Sequence, residues 1–145
     1  MPQAIINLVQ EKHCNLPNKS NTNISTTNTC GYVSAYYKIP LQPGYTVAIG
    51  RSPVIELADE VLYVPSNYVT RHIGYIRCVK TATEELLHIL TVETSKLDFY
   101  NKHNEPLPRK YVLKDNDVIK FENLPIKMFY NLKWQNKIEK QHLQN

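Results

Sequence analysis

Long apolar runs are missing from this sequence. No stretch approaches the roughly 18 apolar residues that span a bilayer, and the first residues lack the basic segment and long apolar run of a secretory signal. We therefore expect no membrane association and no ordinary secretion, and we expect an intracellular protein.

Paired cysteines and known catalytic motifs are also missing. Cys14, Cys30 and Cys78 show no C-x-x-C spacing, so the sequence indicates neither a zinc site nor a disulfide framework. The histidines, His72 and His88 among them, show no metal-ligating spacing, and no nucleotide-binding or G-x-S-x-G motif occurs. We expect no enzyme activity, no metal and no cofactor, with the histidines at the surface or in loops.

Charge of one sign is not concentrated in any segment. The chain has 17 basic and 13 acidic residues and a net charge of +4, without a run of five basic residues. A mild, scattered excess is typical of an ordinary solvated surface, so nucleic acid is not the expected partner. The length of 145 residues fits one domain, and 42% hydrophobic residues indicate a globular chain.

Short β-branched and aromatic runs, separated by turn residues, fill most of the chain. Their spacing of about 8–12 residues predicts an all-β sandwich or barrel. The segment 15–30 is rich in Asn, Ser and Thr and predicts a flexible loop inserted between two strands. The tail 134–145 is polar, with Trp134, Ile138 and Leu143 near helical spacing, which predicts a short helix or a linker. The predicted strands cover residues 4–9, 32–39, 45–49, 61–64, 74–79, 86–91, 111–113, 118–121 and 126–132.

Four segments of this β-rich region carry a recognisable order of motifs. Residues 45–52 end in Ile-Gly-Arg-Ser, 69–76 read Val-Thr-Arg-His-Ile-Gly-Tyr-Ile, 90–101 contain Glu-Thr-Ser-Lys-Leu-Asp, and 113–121 read Leu-Lys-Asp-Asn-Asp-Val-Ile-Lys-Phe. Together they resemble the forkhead-associated (FHA) family. The resemblance implies a SMAD/FHA-like sandwich of two twisted, mostly antiparallel sheets with about eleven strands. Loops at one end of such a sandwich read a phosphothreonine in a partner peptide. We place this domain at 1–133 and a polar tail or linker at 134–145.

The first two motifs supply three candidate phosphopeptide-binding residues. Arg51 falls on the family's phosphate-binding arginine, whose guanidinium donates two parallel hydrogen bonds to phosphate oxygens. Thr70 replaces the family's serine and keeps its hydroxyl donor, and Arg71 matches the family's arginine. The family's histidine aligns with Ile73, and His72 falls on a variable position.

The third motif departs from the family. Alignment on the preceding strand and Asn101 places Ser95 beside the family's serine position, Lys96 on its asparagine and Leu97 on its glycine. Lys96 attracts phosphate as a point charge, while leucine would be strained in a turn that needs positive φ. We name Ser95 and Lys96 as the remaining phosphopeptide-binding candidates. In the fourth motif we expect Asp117 to cap the turn and Asn116 to adopt the left-handed conformation.

The resemblance implies a binding module for a phosphothreonine-containing protein. Because the sequence begins at Met1 and ends in a polar, linker-like tail, we expect this module at the start of a chain that continues beyond residue 145, with further domains. The resemblance also implies a nuclear role, in the DNA damage response, cell-cycle control or meiosis. The alternative is a degenerate FHA-like scaffold that binds a protein partner without phosphate, because the Asn-Gly-Thr motif and the histidine are lost. A third hypothesis, from the basic balance and the tyrosines, is an OB-like nucleic-acid binder.

Overall fold

The computed structural model describes residues 2–13, 29–51, 58–64 and 72–133. These residues form ten β-strands, against about eleven implied by the family resemblance. In chain order they are β1 (Gln3–His13), β2 (Thr29–Pro40), β3 (Thr46–Gly50), β4 (Glu60–Tyr63), β5 (Gly74–Lys80), β6 (Leu86–Val92), β7 (Phe99–Tyr100), β8 (Lys110–Val112), β9 (Asp117–Phe121) and β10 (Ile126–Lys133).

The strands form two five-stranded sheets. The first sheet has the order β2-β1-β10-β9-β7 and the second has the order β4-β3-β5-β6-β8. All pairs are antiparallel except β3 with β4. This arrangement confirms the expected FHA-like sandwich and is not the five-stranded barrel of an OB-like binder.

The predicted strands are present with small changes at their ends. β2 begins at Thr29, so it includes two residues that the sequence analysis assigned to the 15–30 insertion, because its pairing with β1 continues to His13. Residues 14–28 and the tail 134–145 lie outside the described residues. The sequence analysis missed β7, since Phe99 and Tyr100 alone are too short to show a period of two.

Apolar side chains from both sheets form one core. Inward residues alternate with half-buried or exposed ones along β5, β6 and β10, as the period of a half-buried strand requires. Phe99 and Phe121 meet edge to face, with ring centroids 4.8 Å apart. The largest buried apolar side chains are Tyr130, Phe99, Ile6, Ile39, Ile49, Leu62, Ile73, Ile76, Leu90, Ile119, Ile126 and Met128.

His88 is a buried polar link between the two sheets, although the sequence analysis placed the histidines at the surface. The side chain of His88, on β6, is 1% exposed. Its Nε2 lies 3.2 Å from the carbonyl oxygen of Pro40, and its Nδ1 lies 2.7 Å from the hydroxyl of Tyr130. Because a carbonyl only accepts, Nε2 carries the proton and the Tyr130 hydroxyl donates to Nδ1. Burial lowers the pKa of His88, although the hydrogen bond to Pro40 acts in the opposite direction.

Gly74 allows β5 to pass close to the end of β6. A Cβ atom at Gly74 would lie 2.1 Å from the carbonyl oxygen of Thr91, which is far inside contact distance. The obstacle is backbone in the adjacent strand, so no rotamer change would relieve the clash. The glycine is therefore required by the close approach of the two strands.

We expect Gly74→Ala to lower the free energy of unfolding by about 3 kcal/mol, because the paired strands must separate to admit the methyl group. Urea denaturation measures this loss. Gly44→Ala is the comparison: Gly44 has φ of 88° but no atom within 4 Å of a built Cβ, so it should cost only about 1 kcal/mol of conformational strain. Equal effects of the two substitutions would contradict the steric argument.

The His88 site predicts loss of stability in mild acid. The folded pKa of His88 lies below the unfolded value of about 6.5, so between these values the unfolded chain binds more protons. The free energy of unfolding should therefore have its full value above about pH 7. It should fall as the pH drops below about 6.5, by up to about 1.4 kcal/mol per pH unit. Urea denaturation across this range tests the slope, which should persist in His103→Gln at an exposed loop position. An NMR titration showing His88 protonated at or above pH 6.5 would contradict the prediction.

Candidate functional site

Three strand ends meet at one end of the second sheet. Ile49 of β3 lies opposite Gly74 of β5, and Gly74 lies opposite Val92 of β6. The carboxyl ends of β3 and β6 and the amino end of β5 therefore lie side by side. The loops that leave these ends are the ones that carry the sequence-predicted site residues.

The backbone of Ile73 connects the three loops. Its N–H donates to the carbonyl of Ile49 at 2.8 Å, and its carbonyl accepts from the N–H groups of Glu93 at 2.8 Å and Thr94 at 3.1 Å. The Ile73 side chain is fully buried in the core. A residue that is anchored on both its backbone and its side chain holds the surrounding loops in a defined arrangement.

Arg51 follows β3 directly and is half-buried. The carbonyl of the preceding Gly50 accepts from the N–H of Val64 at 2.8 Å, which brings the chain after β4 to the same place. Thr70 and Arg71 lie outside the described residues. The residues after them, His72 and Ile73, lie at the same end of the sheet as Arg51.

Ser95 and Lys96 are both exposed on the loop 93–98, which follows β6. The hydroxyl of Thr94 accepts from the N–H of Lys96 at 3.1 Å, a local turn within this loop. The structure thus places Arg51, Ser95 and Lys96 on neighbouring loops at one end of the sandwich.

The expectation that Leu97 is strained by a positive φ in the third motif is wrong. It does not occur among the described residues with positive φ, and its side chain is 7% exposed within the core. The loop therefore has a different path from the glycine turn of the family pattern. Leucine at this position anchors the loop to the core.

Two residues that the sequence analysis missed hold the ends of the 93–98 loop. The Nη1 of Arg109 donates to the carbonyls of Val92 at 3.2 Å and Thr94 at 2.6 Å. At the other end, the Glu122 carboxylate accepts from the N–H of Asp98 at 2.9 Å, and the Glu122 N–H donates to the Asp98 carbonyl at 3.0 Å. Neither residue belongs to a motif, so no sequence signal identified them.

His72 and Glu93 form a side-chain pair across the same end of the sheet. The two side chains are 40% and 47% exposed, so solvent screens the attraction between them. The pair connects the loop before β5 to the loop after β6. His72 therefore connects these two loops from a position that is variable in the family pattern, while Ile73 occupies the family's histidine position.

The charges at this end are mixed. Arg51 and Lys96 provide positive charge, and Arg109 adds a third cation at the base of the 93–98 loop. Glu93 and Asp98 are exposed carboxylates on that loop. This end therefore combines guanidinium, ammonium and hydroxyl donors, which are the groups that bind anions, with exposed carboxylates beside them.

The fourth motif is structural, as the sequence predicted. The carboxylate of Asp117 accepts from the N–H of Lys114 at 2.7 Å and from the hydroxyl of Tyr111 at 2.9 Å. Asn116 has φ of 69°, in the left-handed region. Asn101 is also used internally, since its side-chain oxygen accepts from the N–H groups of His103 and Glu105.

A separate groove of about 770 Å³ lies on the outer face of the first sheet. Lys120 and Lys127 line it, and so do Glu11 and Glu122. The acidic and basic side chains of this lining balance in number.

The described residues contain no group of three or more His, Cys, Asp or Glu side chains that could hold a metal ion. Within these residues, no helix has the length and apolar character needed to cross a membrane.

Comparison with models of protein families finds no match, and comparison with curated proteins finds no significant sequence relative. Solved structures are similar in fold. The MEK1 FHA domain in complex with the HOP1 phosphothreonine peptide has a TM-score of 0.50 and 18% identity, over 68% of this chain and 90% of that one. The MEK1 FHA domain in another structure has a TM-score of 0.52 and 17% identity, over 90% of this chain and 89% of that one.

Full-length yeast Pml1p has a TM-score of 0.54 and 14% identity, over 90% of this chain and 83% of that one. At these identities the similarity describes the fold. The chain therefore has the fold of the forkhead-associated domains.

Proposed function

We propose that this protein is a phosphothreonine-peptide-binding module that mediates phosphorylation-dependent association with another protein. The observation that carries the proposal is the meeting of three loops at one end of an FHA-like sandwich. Arg51, Ser95 and Lys96 lie on two of these loops, and the backbone of Ile73 connects them. The similar fold of the MEK1 FHA domain, which forms a complex with a phosphothreonine peptide, supports the proposal.

Arg51 is the main phosphate ligand in this proposal. A phosphothreonine carries a charge of about −1.5 to −2 at neutral pH and three acceptor oxygens. The guanidinium of Arg51 donates two parallel hydrogen bonds to these oxygens. The hydroxyls of Thr70 and Ser95 add neutral donors, and Arg71 and Lys96 add positive charge.

The partner in this proposal is an intracellular phosphothreonine-containing protein, and the module binds it without catalysing a reaction. By resemblance, we propose a nuclear signalling role in the DNA damage response, cell-cycle control or meiosis. The recognition chemistry would be the same in each of these three processes.

The second candidate function is a phosphate-independent scaffold. Leu97 fills the core where the family pattern has a glycine turn, and Asn101 is occupied by bonds within its own loop. Lys96 stands on the position of the family's asparagine, and its ammonium group donates hydrogen bonds but accepts none, so it cannot hold a peptide backbone in the way that the Asn-Gly-Thr motif implies. This function predicts a protein partner that binds equally with and without phosphate.

The two functions differ in their response to phosphate and to Arg51. The test is titration of the full chain with a degenerate phosphothreonine peptide library and its unphosphorylated twin. For a phosphopeptide reader, we expect binding only to the phosphorylated library, with Arg51→Ala weakening it roughly 30- to 150-fold, because about 2–3 kcal/mol of charge-assisted hydrogen bonding is lost. Arg51→Lys should also bind weakly, since it keeps the charge without the paired donors.

Arg77→Ala is the matched control. Arg77 is exposed on β5, where it lies opposite Thr46 at the far end of β3 from Arg51. Its loss removes the same charge without touching the three loops, so binding should be unchanged. Equal binding of both libraries, or equal losses in Arg51→Ala and Arg77→Ala, would contradict phosphothreonine recognition and favour the scaffold.

A further inference from the structure

The strands at the edges of the two sheets differ greatly in length. Exposed edges invite pairing with other chains, and proteins protect them by keeping them short or charged. β4, β7 and β8 are edge strands of four, two and three residues. β2 is an edge strand of 12 residues, and within the described chain it pairs with β1 alone.

The composition of β2 does not protect this edge. Lys38 is its only charged residue, and Pro40, its only proline, is the last residue of the strand. Tyr32 is 65% exposed, Val33 48% and Tyr36 70%. β2 therefore combines a long backbone edge with exposed aromatic and β-branched side chains, which are the residues that stabilise strand pairing.

We propose that β2 pairs antiparallel with β2 of a second copy of this chain, about a two-fold axis at Ser34. Tyr32 and Tyr36 lie two positions on either side of Ser34, on the same outward face of the strand. In this register Tyr32 faces Tyr36 of the partner subunit, and Tyr36 faces Tyr32 of the partner subunit. The edge is self-complementary, as a two-fold interface requires.

Charge also favours a second copy as the occupant. In the register centred on Ser34, Lys38 lies opposite position 30, which is uncharged. No like charges meet along the paired strands. The two copies thus place their tyrosine pairs near the two-fold axis and keep the two Lys38 side chains apart.

The area buried between the two β2 strands sets the expected affinity of the dimer. Each of the four tyrosines can bury on the order of 150 Å², which together is about half of the ~1,200 Å² at which specific interfaces begin. The paired backbones and Val33 add to this area. We therefore expect a reversible dimer that dissociates in the micromolar range.

The dimer would join the two first sheets into one continuous sheet of ten described strands. β2 begins at the end of the sandwich where β3 ends, because a short turn connects the end of β2 to the start of β3. Antiparallel pairing therefore points the loop ends of the two subunits in opposite directions. Both peptide-binding ends remain accessible.

Sedimentation velocity of the full chain across the micromolar range tests the proposal. The wild type should shift from monomer to dimer as concentration rises. The double variant Tyr32→Lys, Tyr36→Lys should stay monomeric, because each lysine would face a lysine of the other copy. The double variant Tyr32→Glu, Tyr36→Glu should also stay monomeric, and an equal mixture of the two should form a heterodimer.

Tyr63→Lys is the matched control, since Tyr63 is a 41% exposed tyrosine on the edge strand β4. It should dimerise like the wild type. Far-UV circular dichroism should show all variants folded, because each replaced side chain is exposed. A wild type that is monomeric throughout would overturn the proposal and leave the β2 edge to a strand of a different protein. Dimers in the double-lysine variant, or a mixture that stays monomeric, would also overturn it.

Discussion

The candidate site of this protein depends on the hydrogen bonds made by the backbone of Ile73. One N–H and one carbonyl connect the end of β3, the start of β5 and the loop after β6. The buried Ile73 side chain prevents this junction from moving relative to the core. Gly74, the next residue, permits the close approach of β5 and β6 that brings the three loops together.

The loop 93–98 is held in place by contacts from three other parts of the chain. Its beginning is held by Arg109, from the chain before β8, and its end by Glu122, from the turn after β9. Leu97 packs into the core between them. The three anchors come from different parts of the chain, and the loop is held without a residue of positive φ at Leu97.

The two sheets are held together by an apolar core and a polar link. His88 connects β6 of the second sheet to Pro40 and Tyr130 of the first, and both of its ring nitrogens have partners. A neutral, buried imidazole is tolerated because these partners replace the hydrogen bonds that water would make. Among the described strands, β2 pairs on one side alone, so the interior is more completely satisfied than this edge.

Much of the fold could be predicted from the sequence, because the alternation of apolar residues and the turn residues are local signals. The runs around Ile76, Leu90 and Met128 predicted strands that the structure contains, and Asp117 with Asn116 predicted the turn before β9. β7 was missed because two residues cannot show a period. His88 was misplaced because nothing in its neighbours along the chain reveals Tyr130 and Pro40, which lie about 40 or more residues away.

The candidate site, like the fold, was predicted only in part from the sequence. The sequence by itself determined the all-β class and the order of the four motifs and made Arg51 the candidate phosphate ligand, since short-range patterns and residue chemistry encode these. Only the tertiary structure decided that Leu97 is an anchor without strain, that Arg109 and Glu122 hold the loop, and that His72 pairs with Glu93. Each of these depends on contacts between residues distant in the chain, and such contacts arise only when the strands have paired and the sheets have packed.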